Sequence, residues 1–314
     1  MSETCSAGQS RGSEWSWSRC WTPEYPLDVR ALLAPLRRGR GDPTMRVDAD
    51  GTVWRAATTP EGPGTLALRR DQSGAVHATG WGPGASRALE GLPALLGAAD
   101  DDSGFVAHHP LIAQVRRRMP GLRLGATRRV WDVLMPAVLE QKVTGVEARR
   151  SWRELCRRFG EPAPGPGGLW VPPVPAAVRE IPEWEWHRAG VDRSRRRALL
   201  AAAAVADRLE GAVTLGGEAG RALLRKVPGI GVWTAAEVAQ RAWADADAVS
   251  VGDFHIPSVV GYALLGRPLD DEGMLAVLAP YAPQRHRAVR YVEASGHRRP
   301  RFGPRYSPRD YRAI

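Results

Sequence analysis

Lysine is nearly absent from this chain: of its 44 basic residues only Lys142 and Lys226 are lysines, and the rest are arginine. Cysteine is scarce as well. Three thiols (Cys5, Cys20 and Cys156) with no Cys-x-x-Cys pair exclude a disulfide framework, a four-thiolate zinc site and an iron–sulfur cluster. No apolar run approaches the roughly 18 residues that a membrane span needs. The opening stretch MSETCSAGQSRGSEWSW holds no apolar segment ahead of a small-residue cleavage site. We therefore expect a cytoplasmic protein that does not engage a membrane. None of the histidines has metal-ligand spacing, so the side chains predict no metal site and no cofactor. Nothing in the pattern calls for a second chain, and a monomer is the expectation.

The 314 residues amount to about two domains, and 43% apolar with 25% charged residues is ordinary globular composition. The net charge of +10 is unevenly placed: residues 1–100 hold 11 arginines against 11 acidic residues, so everything after residue 100 carries the excess. A basic field of this kind suits a polyanion, above all a phosphate backbone. An arginine bias also follows from GC-rich coding, so charge by itself does not decide the partner.

Residues 1–20 are polar and aperiodic despite Trp15 and Trp17, and predict a disordered arm. From Trp21 the pattern is α+β. A helix is expected over 27–37, shortened by Pro35, then strands at Thr44–Val47, Thr52–Ala57, Thr65–Arg70 and Ala75–Gly80, with a covering helix at Ser86–Leu96. This predicts a small antiparallel-sheet N-terminal domain over 21–100. Beyond Asp100 the strand signals fade and a mostly α-helical domain is expected over 101–296. Helices are predicted at His109–Arg118, Thr127–Leu139 and from Thr144, where Thr144 and Glu147 form a capping box, and then at Ala176–Glu180, Pro182–His187 and Asp192–Leu209. Residues 161–175 are rich in proline and glycine and predict a semi-rigid loop. The basic first turn of the 192–209 segment opposes the helix dipole, which leaves either solvated arginines or a compensating anion. Residues 297–314 form a basic tail in which Phe302, Tyr306 and Tyr311 alternate with arginines.

Chemistry concentrates in residues 219–264. Val227-Pro228-Gly229-Ile230-Gly231 predicts a tight turn between two helices, with Ile230 as its apolar anchor and free amide N–H groups at a helix start where a phosphate is welcome. About twenty residues later comes Val249-Ser250-Val251-Gly252-Asp253, followed by an apolar-striped helix. An Asp after Gly at a helix start is ordinarily a helix cap.

With these two features and the LEQKVT segment at 139–144, the chain resembles the helix-hairpin-helix (HhH-GPD) DNA glycosylase superfamily over roughly Trp21–Gly296, and within it the 3-methyladenine DNA glycosylase II branch. The resemblance implies that Asp253 is the catalytic carboxylate. It implies that Trp233 and Glu237 belong to a base pocket, and that Gln141, Lys142, Pro228, Gly229, Ile230, Gly231 and Thr234 meet double-stranded DNA carrying a damaged base. The hairpin's backbone carbonyls would be the seat for any monovalent cation. Lyase members of the superfamily place a lysine two residues past the second hairpin glycine; Trp233 stands there here, which implies a monofunctional enzyme of base excision repair in a bacterial nucleoid. Two departures bear on substrate. Glu237 and Glu293 occupy positions where relatives carry pocket aromatics, and Lys142 replaces an apolar wedge. Three activities follow as expectations: release of alkylated purines, release of a neutral deaminated or oxidised base, or binding of distorted duplex without catalysis.

Overall fold

The computed structural model describes residues 6–9, 15–297 and 310. The basic tail, with Phe302, Tyr306 and Tyr311, therefore lies outside the described residues apart from His297 and Asp310. An antiparallel sheet opens the fold. Its strands are β1 (Ser6–Gln9), β2 (Trp15–Trp21), β3 (Met45–Val47), β4 (Val53–Thr59), β5 (Gly62–Arg70) and β6 (Val76–Trp81), in the spatial order β1-β2-β6-β5-β4-β3. Strands β3 to β6 lie where the alternation of apolar and polar residues predicts them.

Strands β1 and β2 correct the expectation of a disordered arm. β2 pairs with β6 along its length, from Ser16 opposite Trp81 to Trp21 opposite Val76, and Trp17 and Trp21 pack against the sheet's apolar core. Without it, β6 would be an edge with a row of unpaired N–H and C=O groups. Three short helices, α1 (Val29–Leu33), α2 (Ala85–Glu90) and α3 (Leu92–Leu95), cover one face of the sheet. Leu33, Leu89, Leu92 and Leu96 bury themselves on Val53, Leu66, Leu68 and Val76. Pro35 ends α1 as predicted, the chain continuing as one 3-10 turn.

The helices that follow are α4 (Pro110–Arg118), α5 (Val130–Leu139), α6 (Gly145–Phe159), α7 (Pro175–Arg179), α8 (Glu183–Arg188), α9 (Arg193–Ala204), α10 (Ala206–Glu210), α11 (Ala212–Leu215), α12 (Gly217–Arg225), α13 (Val232–Ala242), α14 (Ile256–Leu265), α15 (Asp271–Leu278) and α16 (Arg285–Ala294). They surround two apolar cores. One joins α5 and α6 to the run α8 to α13, around Trp131, Leu134, Trp152, Trp186 and Leu199. The other brings α4 (Ile112, Val115) back against α14, α15 and α16 (Val260, Met274, Leu278, Val292). The predicted 192–209 helix is broken at Val205 into α9 and α10. The predicted loop at 161–175 contains a two-stranded hairpin, β7 (Glu161–Pro162) with β8 (Trp170–Val171), whose Leu169 and Val171 pack on Ala56 of the sheet. Gly165 lies so close to Trp81 that a Cβ there would meet the ring at 2.5 Å.

Helix α5 is held at both ends by charged side chains from elsewhere. Glu210 accepts from the Val130 and Trp131 N–H groups (2.9 and 3.0 Å), substituting for an absent N-cap. At the other end the buried Arg195 donates to the Leu139 carbonyl at 2.9 Å. The basic first turn of α9 is thereby accounted for: Asp192 caps it by accepting from the Ser194 and Arg195 N–H groups, and Arg195 serves the C-terminus of α5. The capping box of α6 forms as predicted between Thr144 and Glu147.

Polar side chains fasten the sheet layer to the helices. Asp132 of α5 accepts from Arg55 (3.1 Å) and Thr58 (3.2 Å), and Asp42 accepts from the Trp152 indole (3.0 Å). Most buried is the bidentate pair between Asp100 and Arg287: Nη1 to Oδ2 is 2.9 Å and Nη2 to Oδ1 is 2.5 Å, with Arg287 wholly inaccessible to solvent. Asp100 also accepts from the Leu124 N–H at 2.9 Å. Asp100→Ala leaves a buried guanidinium uncompensated, which typically costs about 3–5 kcal/mol. Urea unfolding should show a loss of that order, and a change under about 1 kcal/mol would mean that the pair is not needed to hold the layers together.

Candidate functional site

Helices α12 and α13 meet at the predicted turn. Val227 and Ile230 are buried and anchor it, whereas Pro228, Gly229 and Gly231 are exposed. Gly229 adopts φ +90°, and a Cβ at that position would stand 2.6 Å from the Ala198 methyl of α9, so only glycine lets the turn pack so closely. α13 starts at Gly231 with no side-chain cap, leaving the amide N–H groups of its first turn available to an anion.

The segment after α5 is tied to this turn. Gln141 donates through Nε2 to the Gly229 carbonyl (2.9 Å) and to the Thr234 hydroxyl (2.8 Å). The next residue, Lys142, is exposed and sits in the left-handed region at φ +53°, where the loop tip turns outward beside the hairpin. Of the seven residues predicted to meet DNA, Lys142, Pro228, Gly229 and Gly231 are exposed and Gln141 partly so. Ile230 and Thr234 are instead buried, Thr234 at 2% exposure with its hydroxyl engaged by Gln141. Their role is to hold the turn.

Asp253 stands on the loop between α13 and α14, just after Gly252 at φ +88°. Its Oδ1 accepts from the His255 and Ile256 N–H groups (2.7 and 2.9 Å), and its Oδ2 accepts from the Trp233 indole N–H (3.0 Å). The carboxylate is thus a helix cap and, at once, a fixed negative charge held by three donors. Asp271 steadies the same loop by accepting from the Gly252 N–H at 2.9 Å.

A cavity of about 210 Å³ opens on Asp253, walled by α13, α14 and α16, and roofed by Leu32, Leu33, Pro35, Leu36 and Leu95 of the sheet layer. Glu237 lines it and is doubly engaged. Its Oε1 accepts from the Ser250 hydroxyl at 2.5 Å and its Oε2 faces Arg241 at 2.9 Å. Ser250 in turn accepts from Gln240 at 2.8 Å, and Arg241 donates to the Pro35 carbonyl at 3.2 Å, linking this wall to the roof. Glu293, the other acidic residue at an expected aromatic position, also lines the cavity and pairs with Arg290 at 2.6 Å. The wall carries three carboxylates (Glu237, Asp253, Glu293) against three guanidinium groups (Arg123, Arg241, Arg290), so its formal charges cancel.

Trp233 departs from its expected place. It stands beside the cavity and is not one of its lining residues; its N–H is directed at Asp253, so its contribution is to position that carboxylate. Sequence reasoning passed over Ser250, Arg241, Arg290 and His286. Ser250 lies inside the Val-Ser-Val-Gly-Asp stretch and three residues ahead of Asp253, which was the one available signal. The other three belong to helices whose apolar stripes gave no reason to single them out. Among the described residues no group of three or more His, Cys, Asp or Glu side chains could hold a metal ion, and no helix is long and apolar enough to cross a membrane.

No protein-family model matches the sequence, and no curated protein matches it. Solved structures do match. A 3-methyladenine DNA glycosylase from Archaeoglobus fulgidus superposes with a TM-score of 0.71 at 16% identity, covering 87% of this chain and 96% of that one. An 8-oxoguanine glycosylase/lyase from Clostridium acetobutylicum, in its apo form, gives a TM-score of 0.70 at 10% identity, covering 94% of this chain and 99% of that one. With a small antiparallel sheet followed by helices and a glycine-turned hairpin ahead of Asp253, the chain has the fold of the helix-hairpin-helix DNA glycosylases.

Proposed function

We propose that this protein is a monofunctional DNA glycosylase of base excision repair, which extrudes an alkylated purine of the 3-methyladenine type from duplex DNA and hydrolyses its N-glycosidic bond. The observation that carries the proposal is the Asp253 carboxylate, fixed by three N–H donors on the wall of a cavity that lies beside a helix hairpin. An ionised carboxylate beneath a deoxyribose stabilises the oxocarbenium-like transition state that forms as the base leaves. Because its donors are already in place, the charge needs no reorganisation during the reaction. Water then adds to the sugar carbon. An N-alkylated purine is cationic before it leaves, so it departs without a strong general acid, and no such acid is required of the cavity.

Grip on the duplex comes from the exposed hairpin, whose backbone N–H groups face a phosphate, and from Lys142 at the tip of the neighbouring loop. Gln141 holds the two together, so that the loop tip enters the duplex at a fixed distance from the phosphate grip. A flipped base then occupies the cavity next to Asp253. Trp233 takes the place of a Schiff-base lysine and spends its N–H on Asp253.

Asp253→Asn keeps the cap geometry and removes the charge. Release of bases from methylated duplex DNA, identified by mass, should fall by about a hundredfold or more, with duplex binding retained; undiminished release would remove Asp253 from the chemistry. Borohydride added during reaction with abasic DNA should trap no covalent adduct, and an adduct that disappears in Lys142→Ala would establish a lyase. If Lys142 contacts a phosphate, its replacement by Ala should lower the slope of log K against log salt by about 0.9, and an unchanged slope would place it away from the backbone.

A further inference from the structure

The charge balance of the cavity raises a question that the release of cationic bases does not answer. With three carboxylates offset by three guanidinium groups, the wall offers little field to draw in a cation beyond Asp253 itself. Selection by hydrogen bonding remains, and one residue is unspent. His286 of α16 lines the cavity, is 6% exposed and makes no hydrogen bond with any described residue. Burial, and then Arg290, Arg241 and Arg287, push its pKa well below the ordinary histidine range, so the ring is neutral at physiological pH. A neutral imidazole can donate from one nitrogen or accept at the other. A polar ring more than nine-tenths buried, with no protein partner and a place on a cavity wall, is a group whose partner comes from outside.

Resting on the glycosylase reading above, we infer that His286 is a base-reading residue and that the cavity accepts a neutral 6-oxopurine as well as a cationic alkylpurine. The edge of a 6-oxopurine sets a ring N–H beside a carbonyl. Glu237 is fixed as an acceptor by Ser250 and Arg241, and a carboxylate has lone pairs left to take the ring N–H. His286 supplies the donor to the carbonyl. As the bond between the sugar carbon and purine nitrogen breaks, its electron pair goes to the departing base, and the His286 N–H meets the negative charge that develops on the oxygen. Water's hydroxyl oxygen joins the sugar carbon and its proton goes to the purine, so the step needs no other reactant. Ordinary guanine shares this edge but is held in a matched pair, whereas a deaminated purine in a mismatch is extruded at lower cost.

The test uses the full chain and duplexes carrying hypoxanthine opposite thymine. Single-turnover release should be seen with the wild type, should fall about thirtyfold or more in His286→Phe, and should be largely recovered in His286→Gln, which keeps a donor. Release from methylated DNA should change by no more than about threefold in the same variants. Equal loss on both substrates in His286→Phe, or no loss on either, would overturn the inference, the first by making His286 structural. A second measurement separates this inference from the glycosylase reading. In the Asp253→Asn background, binding should favour the hypoxanthine duplex over a matched duplex by about tenfold, and adding His286→Phe should erase that preference. Absence of any preference in Asp253→Asn overturns the base-reading role whether or not the wild type releases alkylpurines.

Discussion

The ion pair between Asp100 and Arg287 spans 187 positions of sequence and has no contact with solvent at the guanidinium. On one side it fixes the end of the sheet layer, through Asp100 and the Leu124 N–H; on the other it fixes α16. The cavity is bounded by both, since Leu32, Leu36 and Leu95 form its roof and His286 and Glu293 part of its wall. Its volume is therefore set by how closely two separately cored layers are drawn together. A hydrophobic contact could do the same with less desolvation cost, but it would tolerate sliding; a bidentate pair with further hydrogen bonds admits one register. Arg241, donating to the Pro35 carbonyl, repeats the same arrangement across the opposite edge of the cavity.

The site depends on preorganised donors at each step. Trp233 and the first amides of α14 hold Asp253, Ser250 and Arg241 hold Glu237, and Gln141 holds the hairpin against the loop that carries Lys142. In each case a side chain that could meet substrate is fixed by one that does not. This explains why residues expected on the surface are inside: Thr234 and Ile230 support the turn, and Trp233 supports a carboxylate.

Much of this was legible in the sequence for identifiable reasons. The period-two runs gave β3 to β6, the Thr144 and Glu147 pair marked the start of α6, and two glycines around Ile230 gave the hairpin. β2 was missed although Trp15 and Trp17 alternate with serines, because a polar, serine-rich stretch carries little burial signal of its own and is ordered by pairing with β6. The break at Val205 and the two-core arrangement of the helices depend on which element meets which, and local periodicity does not encode that. The site was legible where chemistry follows spacing, as for Asp253 after the hairpin, and hidden where it follows tertiary contact. Arginines are the clearest case. A run such as Arg193 to Arg197 looks uniform in sequence, yet Arg195 alone turns inward to the Leu139 carbonyl.

The core shared by α4 and α14 to α16 has a consequence for the order of events during synthesis. The α5 to α13 bundle, with its hairpin, lies between the two parts of that core in the chain and has its own apolar interior. It can pack while the last fifty residues are still unmade, whereas α4 must wait for α16 before Ile112 and Val115 are covered. Asp253 sits on the late side of that division and the hairpin on the early side. A nascent or truncated chain would then present the surface that grips a phosphate backbone without the assembled cavity, so attachment to nucleic acid would precede the capacity to act on it.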